Sequence, residues 1–294
     1  VLDLTPNTNH TGLYVAKAKG YYDEQGLDVA IVLPGDAGAD QMVATGNAHF
    51  GVSYQESITQ ARIAGVPIVS IASVIQHNTS GFAAPADRNI KSPKDFEGKV
   101  YGGGWNYPVE RAVIQSLMEI DGADVNKVQF LNTGDGDFFT STSRGDVDFA
   151  WIYYAWTGVE AELRGIPIDM IYLNEYSEKL DYYTPVIATN ERMIAENPEL
   201  VRKFMAAVSA GYKFAIEHPE EAAEILLDAV PELDRDLVVA SQQWLSPRYQ
   251  DDAPRWGEQK ESVWRNYADW LLEHGLLEKE LDAAKAFTNE FLPE

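Results

Sequence analysis

Residues 50–75, FGVSYQESITQARIAGVPIVSIASVI, contain two strand-like segments on either side of a helix-like one. Residues 50–52 are apolar, residues 56–64 have helical spacing and end at Gly65, and residues 66–75 are rich in β-branched side chains. This order is typical of a β-α-β unit. It predicts an α/β protein with mainly parallel sheets covered by helices on both faces.

The alternation continues on both sides of that stretch. We predict strands over residues 1–4 and 29–33, a helix from about Thr11 to Gly20, and helices from Asn197 to the end. The pattern restarts near Lys91, where Ser92 has the character of an N-cap and Pro93 of a first helical residue.

Two α/β lobes with a helical tail predict a discontinuous first domain. We assign residues 1–84 and 185–294 to lobe 1 and residues 85–184 to lobe 2, with crossings at Ala84-Pro85 and Thr184-Pro185. Two crossings form a hinge, and a cleft between lobes is a common place for a ligand. The alternative is one α/β domain with a helical appendage.

Composition excludes several classes of protein. Among 294 residues, 46 are Asp or Glu and 23 are Lys or Arg, which gives a formal net charge of −23. Such acidity argues against nucleic-acid binding and against docking on anionic lipid. Cysteine is absent, so disulfides and thiolate chemistry are excluded.

The N-terminal residues show no basic and then apolar leader, so the chain is either cytosolic or trimmed. No apolar run approaches the roughly 18 residues of a membrane span.

Three glutamates follow predicted strands closely: Glu56, Glu110 and Glu160. In parallel sheets this is the edge where ligands bind, and a carboxylate there can accept hydrogen bonds from an amine or amidine. The alternative is a charge that complements the helix dipole.

A glycine-rich loop, Gly102-Gly103-Gly104-Trp105-Asn106, lies between a predicted strand and a helix. It matches neither a dinucleotide-binding loop nor a P-loop, and it suits close approach of backbone amides to a small ligand. Aromatic residues 151–156 could stack on a planar ligand, although about half belong in the core. For Trp256, Trp264, Tyr267 and Trp270, helical spacing favours core packing.

Catalytic and metal motifs are lacking. No Gly-x-Ser-x-Gly is present, and the five histidines do not form a metal-binding spacing. The turn of residues 134–137 has two aspartates but lacks the other ligand positions of a calcium loop. We therefore predict no catalytic residue, no metal and no cofactor.

Six segments spread over nearly the whole chain carry a family resemblance: LDLTPNTNHTGLYVAKAKGYY (2–22), VSIASVIQHNTSGF (69–82), KSPKDFEGKVYGG (91–103), DFAWIYYAWTGVEAE (148–162), DYYTPVI (181–187) and QWLSPRYQDDAPRWGEQ (243–259). In these segments the chain resembles the solute-binding proteins of ABC importers in the sulfonate/thiamin-pyrimidine group, and in particular the ThiY-like proteins.

The resemblance implies a two-lobed type II periplasmic-binding-protein fold that closes on its ligand. It implies capture of a thiamin-precursor pyrimidine of the formylaminopyrimidine or hydroxymethylpyrimidine type, with riboflavin or a sulfonate as alternatives. The partner would be an ABC permease in the membrane, and the protein an extracytoplasmic monomer, free or lipid-anchored. Leu4 stands where ThiY-like proteins have a stacking tryptophan, which leaves the exact ligand open.

The predicted ligand-binding residues combine these patterns with the resemblance, in which Tyr154 and Glu160 match pocket residues of the family. They are Leu4, Asn9, Tyr54, Glu56, Gly103, Gly104, Trp105, Tyr154, Glu160 and Tyr183.

Two alternatives come from other functional classes. The same fold includes a pyrimidine synthase that uses its own histidine and a lysine-bound pyridoxal phosphate, but Ser53 and Ser57 stand at those positions here. Without an amine, no Schiff base forms there. The other alternative is a sensor domain that passes ligand occupancy to a partner.

Overall fold

The computed structural model describes residues 1–134 and 136–294, which divide into two compact units. Unit 1 comprises Val1–Asn78, Tyr182–Leu272 and Leu277–Glu294, and unit 2 comprises Thr79–Asp181 and Glu273–Leu276. Residues 79–84 were assigned to lobe 1 from sequence but fall in unit 2, because their strand pairs within the sheet of that unit. Residues 182–184 fall in unit 1.

From β1 to β8, strands and helices largely alternate, as predicted. The α-helices are α1 (Thr11–Ala18), α2 (Tyr21–Glu24), α3 (Ala39–Ala44), α4 (Gln55–Ile63), α5 (Tyr107–Ile120), α6 (Phe138–Ser143), α7 (Val159–Leu163), α8 (Leu173–Tyr176), α9 (Glu191–Glu196), α10 (Pro198–Glu217), α11 (Pro219–Ala229), α12 (Arg235–Gln250), α13 (Glu261–Glu273) and α14 (Ala283–Ala286). The strands are β1 (Gly51–Ser53), β2 (Ile68–Ser73), β3 (Ser80–Pro85), β4 (Val100–Gly103), β5 (Gln129–Asn132), β6 (Phe149–Tyr153), β7 (Ile168–Tyr172) and β8 (Val186–Asn190).

Unit 1 is built on a three-stranded sheet in the order β1-β8-β2. Both pairings of β8 are antiparallel, and Ser53 at the end of β1 lies opposite Val186. The prediction of a mainly parallel sheet is therefore wrong for this unit. The reason is that β8 belongs to the segment that re-enters unit 1 at Tyr182, and this segment runs in the direction opposite to β1 and β2.

Unit 2 has a five-stranded sheet in the order β5-β4-β6-β3-β7. Strand β4 is parallel to both β5 and β6, whereas β3 is antiparallel to β6 and β7. Phe82 on β3 is fully buried and contacts the rings of Phe96, Tyr101, Phe149 and Trp151. This aromatic core holds the sheet against its helices, because each ring removes a large apolar area from water.

Helix packing in unit 1 brings the start of the chain against its last third. The hydroxyl of Tyr212 donates to the carbonyl of Asn9 at 2.6 Å, and the Tyr212 ring stacks on Trp256 with centroids 4.4 Å apart. Thr8 and Ser241 share a buried hydrogen bond of 2.7 Å. These contacts fix the turn that carries His10. The core placement predicted for Trp256, Trp264, Tyr267 and Trp270 is confirmed, since all four are buried.

Two predicted strands are not formed in the structure. Residues 1–4 do not form a strand, although isolated backbone hydrogen bonds join them to neighbouring segments. The Leu2 amide donates to the Val32 carbonyl, and the Val52 amide donates to the Val1 carbonyl. Residues 29–33 belong to no strand and are partly exposed, with Val32 at 43% and Leu33 at 56% of full exposure. Their apolar side chains mimic a buried strand in the sequence, but too few consecutive backbone bonds join them to the sheet. In the described residues no helix is long and apolar enough to cross a membrane.

Candidate ligand-binding site

The turn after β1 presents polar side chains at one end of the unit 1 sheet. Tyr54 is extended and serves as the N-cap of α4, so the chain changes from strand to helix within one residue. Gln55 fixes this turn, because its amide donates to the Tyr183 carbonyl at 3.0 Å and its Oε1 accepts from the Tyr183 amide at 2.8 Å. Ser53, Tyr54 and Glu56 are consequently held in defined positions.

Asp3 accepts hydrogen bonds through both of its carboxylate oxygens. His10 Nε2 lies 2.6 Å from Oδ1, and the Tyr54 hydroxyl donates to Oδ2. His10 Nδ1 accepts from the Asn7 amide, which places the ring proton on Nε2 and makes it the donor to Asp3. Burial alone would raise the pKa of Asp3, but the hydrogen bonds from His10 and Tyr54 hold it below its ordinary value.

The other two carboxyls of this region behave in the opposite way. Burial raises the pKa of Glu56 to about 8, and the nearby Asp40 adds to the increase. Burial also raises the pKa of Asp40, with Asp3 contributing, while the proximity of Ser53 offsets part of the effect. One member of the group is thus firmly ionised, and the two others resist ionisation. We call Asp3, Asp40 and Glu56 the acidic cluster.

Several polar atoms beside this turn are buried without a hydrogen-bond partner among the described residues. They are Ser53 Oγ, Glu56 Oε2 and Thr184 Oγ1. Ser53 and Thr184 are each only 2% exposed, and Glu56 keeps some exposed surface although Oε2 has none. Buried polar atoms normally have partners, so unpartnered ones indicate where a ligand or water would bind.

The acidic cluster has little opposing charge in unit 1. Within residues 1–134 and 136–294, no lysine or arginine forms an ion pair with any of its members, and His10 is the basic group in contact. A ligand with hydrogen-bond donors or positive charge is favoured at such a place, and an anion is disfavoured.

Glu110, one of the three candidate ligand carboxylates, has a structural role in unit 2. It is 1% exposed and accepts from the amide of Asn106 at 2.7 Å, the amide of Gly104 at 3.0 Å and the Tyr101 hydroxyl at 2.7 Å. These bonds hold the glycine-rich loop, with Gly104 at φ +121°. The Gly104 amide faces Glu110 and is therefore not available to a ligand, while the Gly103 carbonyl accepts from Thr133.

The loop held by Glu110 exposes an aromatic surface on unit 2. Trp105 is 59% exposed, and its ring meets Trp151 edge to face with centroids 5.2 Å apart. Tyr153 is 41% exposed, and Trp151 Nε1 is a buried donor without a partner in the described part of the chain. An exposed indole next to an unpaired indole donor suits a flat ligand with an acceptor at its rim.

Tyr154 and Glu160 lie at the start of the helix after β6. Tyr154 begins a π-helical turn, and its hydroxyl donates to Glu162, while its ring is 6.0 Å from that of Tyr172. Glu160 forms an ion pair with Arg164 one turn later. Both remain accessible at the surface, so their role as ligand contacts stays a prediction.

The remaining predicted site residues have different surroundings. Leu4 is 57% exposed and follows Asp3 directly. Asn9 is half-buried and uses its backbone carbonyl to bind Tyr212. Tyr183 is 1% exposed within the core, and its hydroxyl accepts from the Lys260 amide at 2.9 Å, so we leave it out of the proposed site.

The sequence did not identify Asp3, His10 or Asp40 as members of one group. Asp3 and Tyr54 are separated by 51 positions, and no local spacing connects them. A signal was present at His10, which lies on a polar turn, TPNTNH, beside the first apolar residues.

Two other features could accept small molecules. His77, Asp251 and Asp252 offer ligand atoms within 4.8 Å of one another, but both aspartates are exposed and His77 already bonds Asp252 at 2.8 Å. A cavity of about 450 Å³ in unit 1 is lined mainly by apolar side chains, including Tyr22 and Phe204. Its lining contains no member of the acidic cluster. An amine on a ligand ring would therefore find none of those carboxyl acceptors in this cavity.

Comparison with known proteins places these features in a family. A model of the family described as "NMT1/THI5 like" matches residues 7–222. The chain belongs to the NMT1/THI5-like family. The matched range includes His10, the turn after β1 and the whole of the glycine-rich loop.

Characterised relatives in the NMT1/THI5-like group include binding proteins and enzymes. The chain is 29% identical to a formylaminopyrimidine-binding protein of Halalkalibacterium halodurans, over 98% of this chain and 88% of that protein. It is 26% identical to the riboflavin-binding protein RibY of Chloroflexus aurantiacus, over 98% and 84%. It is 24% identical to a 4-amino-5-hydroxymethyl-2-methylpyrimidine phosphate synthase of Legionella pneumophila, over 100% and 92%.

Solved structures confirm the predicted two-lobed periplasmic-binding-protein fold. The periplasmic aliphatic sulphonate-binding protein SsuA of Escherichia coli matches with a TM-score of 0.71 at 14% identity, over 95% of this chain and 89% of that one. At this identity the likeness concerns the fold of this NMT1/THI5-like chain and not its ligand.

Proposed function

We propose that the protein is the solute-binding receptor of an ABC importer and that it captures a thiamin-precursor pyrimidine of the formylaminopyrimidine or hydroxymethylpyrimidine type. The acidic cluster of unit 1 carries this proposal. An aminopyrimidine presents an exocyclic amine and ring nitrogens, and carboxyl groups are well suited to bind both kinds of atom.

Charge distinguishes this ligand from a sulfonate. A sulfonate is an anion at neutral pH and would approach the ionised carboxylate of Asp3, which forms no ion pair with a lysine or arginine among the described residues. Like charges in a partly buried site repel by several kcal/mol at an effective dielectric constant of about 20. We therefore favour the pyrimidine over the sulfonate, although sulfonate-binding proteins share the fold.

Riboflavin is the second candidate ligand. The observation in its favour is Leu4, an exposed aliphatic side chain directly beside Asp3 where the resembling proteins have a flat ring. A flavin is larger than a pyrimidine and could use apolar contact there in place of stacking. RibY, a relative over nearly the whole chain, is a riboflavin-binding protein.

The aromatic surface of unit 2 is the proposed stacking element. Trp105 contributes a large exposed ring whose position is fixed by Trp151 and by the loop that Glu110 holds. Because the ring is already positioned, little side-chain entropy is lost when a planar ligand stacks on it.

The proposed role includes no chemical step. Ser53 is 2% exposed and carries a hydroxyl where the resembling synthases have a lysine, so no imine with an aldehyde cofactor forms at that position. A receptor of this kind works outside the cytoplasm and delivers its ligand to a membrane permease. We propose that location and that partner for this chain, acting as a monomer.

Native mass spectrometry followed by identification of released small molecules tests the proposal first. Titration calorimetry with formylaminopyrimidine, hydroxymethylpyrimidine, riboflavin and an aliphatic sulfonate then ranks the ligands. We expect a Kd of about 1 μM or tighter, roughly −8 kcal/mol, for one of the pyrimidines and no heat for the sulfonate. Tight binding of the sulfonate without pyrimidine binding would overturn the proposal.

Glu160→Gln tests the unit 2 carboxylate in the same titrations. If Glu160 accepts a hydrogen bond from the ligand amine, the variant loses a charge-assisted bond of about 1.5–3 kcal/mol. Glu196→Gln, which alters another surface i,i+4 ion pair, is the matched control. Equal affinities for the two variants would remove Glu160 from the site.

A further inference from the structure

We propose that Glu56 binds the ligand as an uncharged carboxylic acid and donates its proton in a hydrogen bond to a ring nitrogen. This inference rests on the proposed function, because it names the atom of the heteroaromatic ring that unit 1 recognises. It also assigns Glu56 a role opposite to that of an ordinary ligand carboxylate, which accepts hydrogen bonds.

The geometry around Glu56 leaves one oxygen without a protein partner. Oε2 is buried and has no hydrogen bond with any described residue. The side chain lies in the first turn of α4, directly after the anchored turn at Tyr54, so its backbone is fixed by neighbouring contacts. Ser53 Oγ and Thr184 Oγ1 are unpartnered and buried beside the same β1–β8 junction. A ligand atom bound there would supply the hydrogen-bond partner that these oxygens lack.

An ionised Glu56 would be poorly stabilised at this place. A buried carboxylate oxygen without a hydrogen-bond donor loses its hydration, and no protein hydrogen bond compensates for that loss. The first turn of α4 supplies one backbone hydrogen bond that favours the charge, but burial outweighs it and Asp40 adds repulsion. The pKa of Glu56 is consequently raised to about 8, so the acid form predominates at neutral pH.

The other titratable groups near Glu56 do not reverse this balance. Asp40 on α3 resists ionisation itself, and Asp3 is already satisfied by His10 and Tyr54. Basic side chains on α4 and on the neighbouring α14 are engaged elsewhere, since Arg62 pairs with Glu191 and Lys285 with Asp282.

The acid form of Glu56 matches one edge of an aminopyrimidine. A neutral pyrimidine ring nitrogen is an acceptor and needs a donor, which a carboxylate cannot supply and a carboxylic acid can. An aminopyrimidine has such a nitrogen next to its amine. A buried acid proton that meets a ring nitrogen satisfies both groups in one hydrogen bond.

The test is the pH dependence of formylaminopyrimidine binding, measured by titration calorimetry at about pH 7 and about pH 9. Wild-type affinity should fall about tenfold over this range, because the fraction of Glu56 in the acid form falls by that factor when the pKa is about 8. Glu56→Gln retains an N–H donor that does not titrate. Its affinity should be constant over the range and should exceed that of wild type at the higher pH.

The opposite pattern would overturn the inference. If Glu56 acts as a carboxylate acceptor, wild-type affinity rises with pH and Glu56→Gln binds weakly at both values. Binding of formylaminopyrimidine with a constant wild-type affinity would also overturn it, while leaving the proposed receptor function intact. If formylaminopyrimidine does not bind at any pH, the proposed ligand and this inference both fail.

Controls separate the effect of Glu56 from general effects of pH and folding. Glu196→Gln removes a surface carboxylate and should show the same tenfold decrease as wild type. Melting temperatures at both pH values show whether each variant is folded. Glu56→Gln keeps the size of the side chain, so it preserves the packing of the turn.

Discussion

The carboxylate of Glu110 lies directly against the backbone of Gly103. A Cβ atom at position 103 would lie 2.0 Å from Glu110 Oε2, and within 2.7 Å of the Tyr101 hydroxyl. Because Glu110 also holds the amides of Gly104 and Asn106, the absence of a side chain at Gly103 allows the loop to close over a buried carboxylate. The position of Trp105 follows from this contact.

Gly103→Ala should therefore destabilise unit 2. The added methyl group must displace Glu110 or Tyr101, both of which are buried, and overpacking of this kind costs about 1–3 kcal/mol. Gly35→Ala is the control, since a Cβ there meets no atom within 4 Å. Urea denaturation of both variants measures the difference. Equal stabilities would show that the loop adjusts without loss.

Asp3→Asn should lower the stability of unit 1 at neutral pH by about 1–3 kcal/mol. Asparagine cannot accept through both side-chain atoms, so the bond from either His10 or Tyr54 is lost. The folded pKa of Asp3 is lowered, so its contribution is present above the ordinary value of 3.8 and is lost as the pH falls through the folded value.

Denaturation of wild type and Asp3→Asn at neutral and strongly acidic pH measures this contribution. The difference between the two proteins should shrink in acid. Asp23→Asn, at an exposed position, serves as the control and should match wild type throughout. A difference between wild type and Asp3→Asn that persists unchanged in acid would contradict an ionised Asp3.

Glu56→Gln should become more stable relative to wild type as the pH rises from about 5 to about 8. The folded pKa of Glu56 is raised from 4.5 to about 8, so the folded state holds a proton that the unfolded state releases in this range. Wild-type stability therefore falls as pH rises, while the glutamine variant lacks this effect. A relative gain of about 3–4 kcal/mol is expected from thermal or urea unfolding, since each unit of pKa difference corresponds to about 1.4 kcal/mol. A pH-independent difference would mean that Glu56 is ionised when folded.

Trp105→Leu should weaken ligand binding with little effect on stability. The side chain is 59% exposed, so folding depends little on it, whereas loss of ring stacking costs about 0.5–1.5 kcal/mol of binding free energy. Leu163→Ala truncates another exposed apolar residue of unit 2 and is the control. Calorimetry with formylaminopyrimidine measures both. Unchanged affinity in Trp105→Leu would separate the aromatic surface from ligand binding.

Local patterns in the sequence predicted the elements but not always their direction or pairing. The helix after β1 and the long helices after Asn197 are present as expected, because their apolar spacing is a local property. The general prediction of mainly parallel sheets did not anticipate the antiparallel pairing of β3 and β8, since strand direction depends on how the chain returns to a sheet. The apolar segment 29–33 also lacked the backbone partners that make a strand.

The candidate site shows the same limit for single residues. Glu56 and Glu110 have the same local signal, a carboxylate shortly after a strand. In the structure Glu110 is satisfied by three donors from its own loop and strand, whereas Glu56 keeps an unpartnered oxygen. Tyr183, next to the predicted crossing at Thr184-Pro185, was predicted to contact the ligand, but its side chain is buried in the core.

The sequence by itself determined the α/β class, the acidic character, the absence of thiol chemistry and the resemblance to solute-binding proteins. These follow from composition and from spacing along the chain. Only the tertiary structure decided that Asp3, Asp40 and Glu56 form one group and that their carboxyls differ in charge. The reason is physical: the pKa of a carboxyl depends on its burial and on neighbours that lie far away in sequence, such as Tyr54 for Asp3.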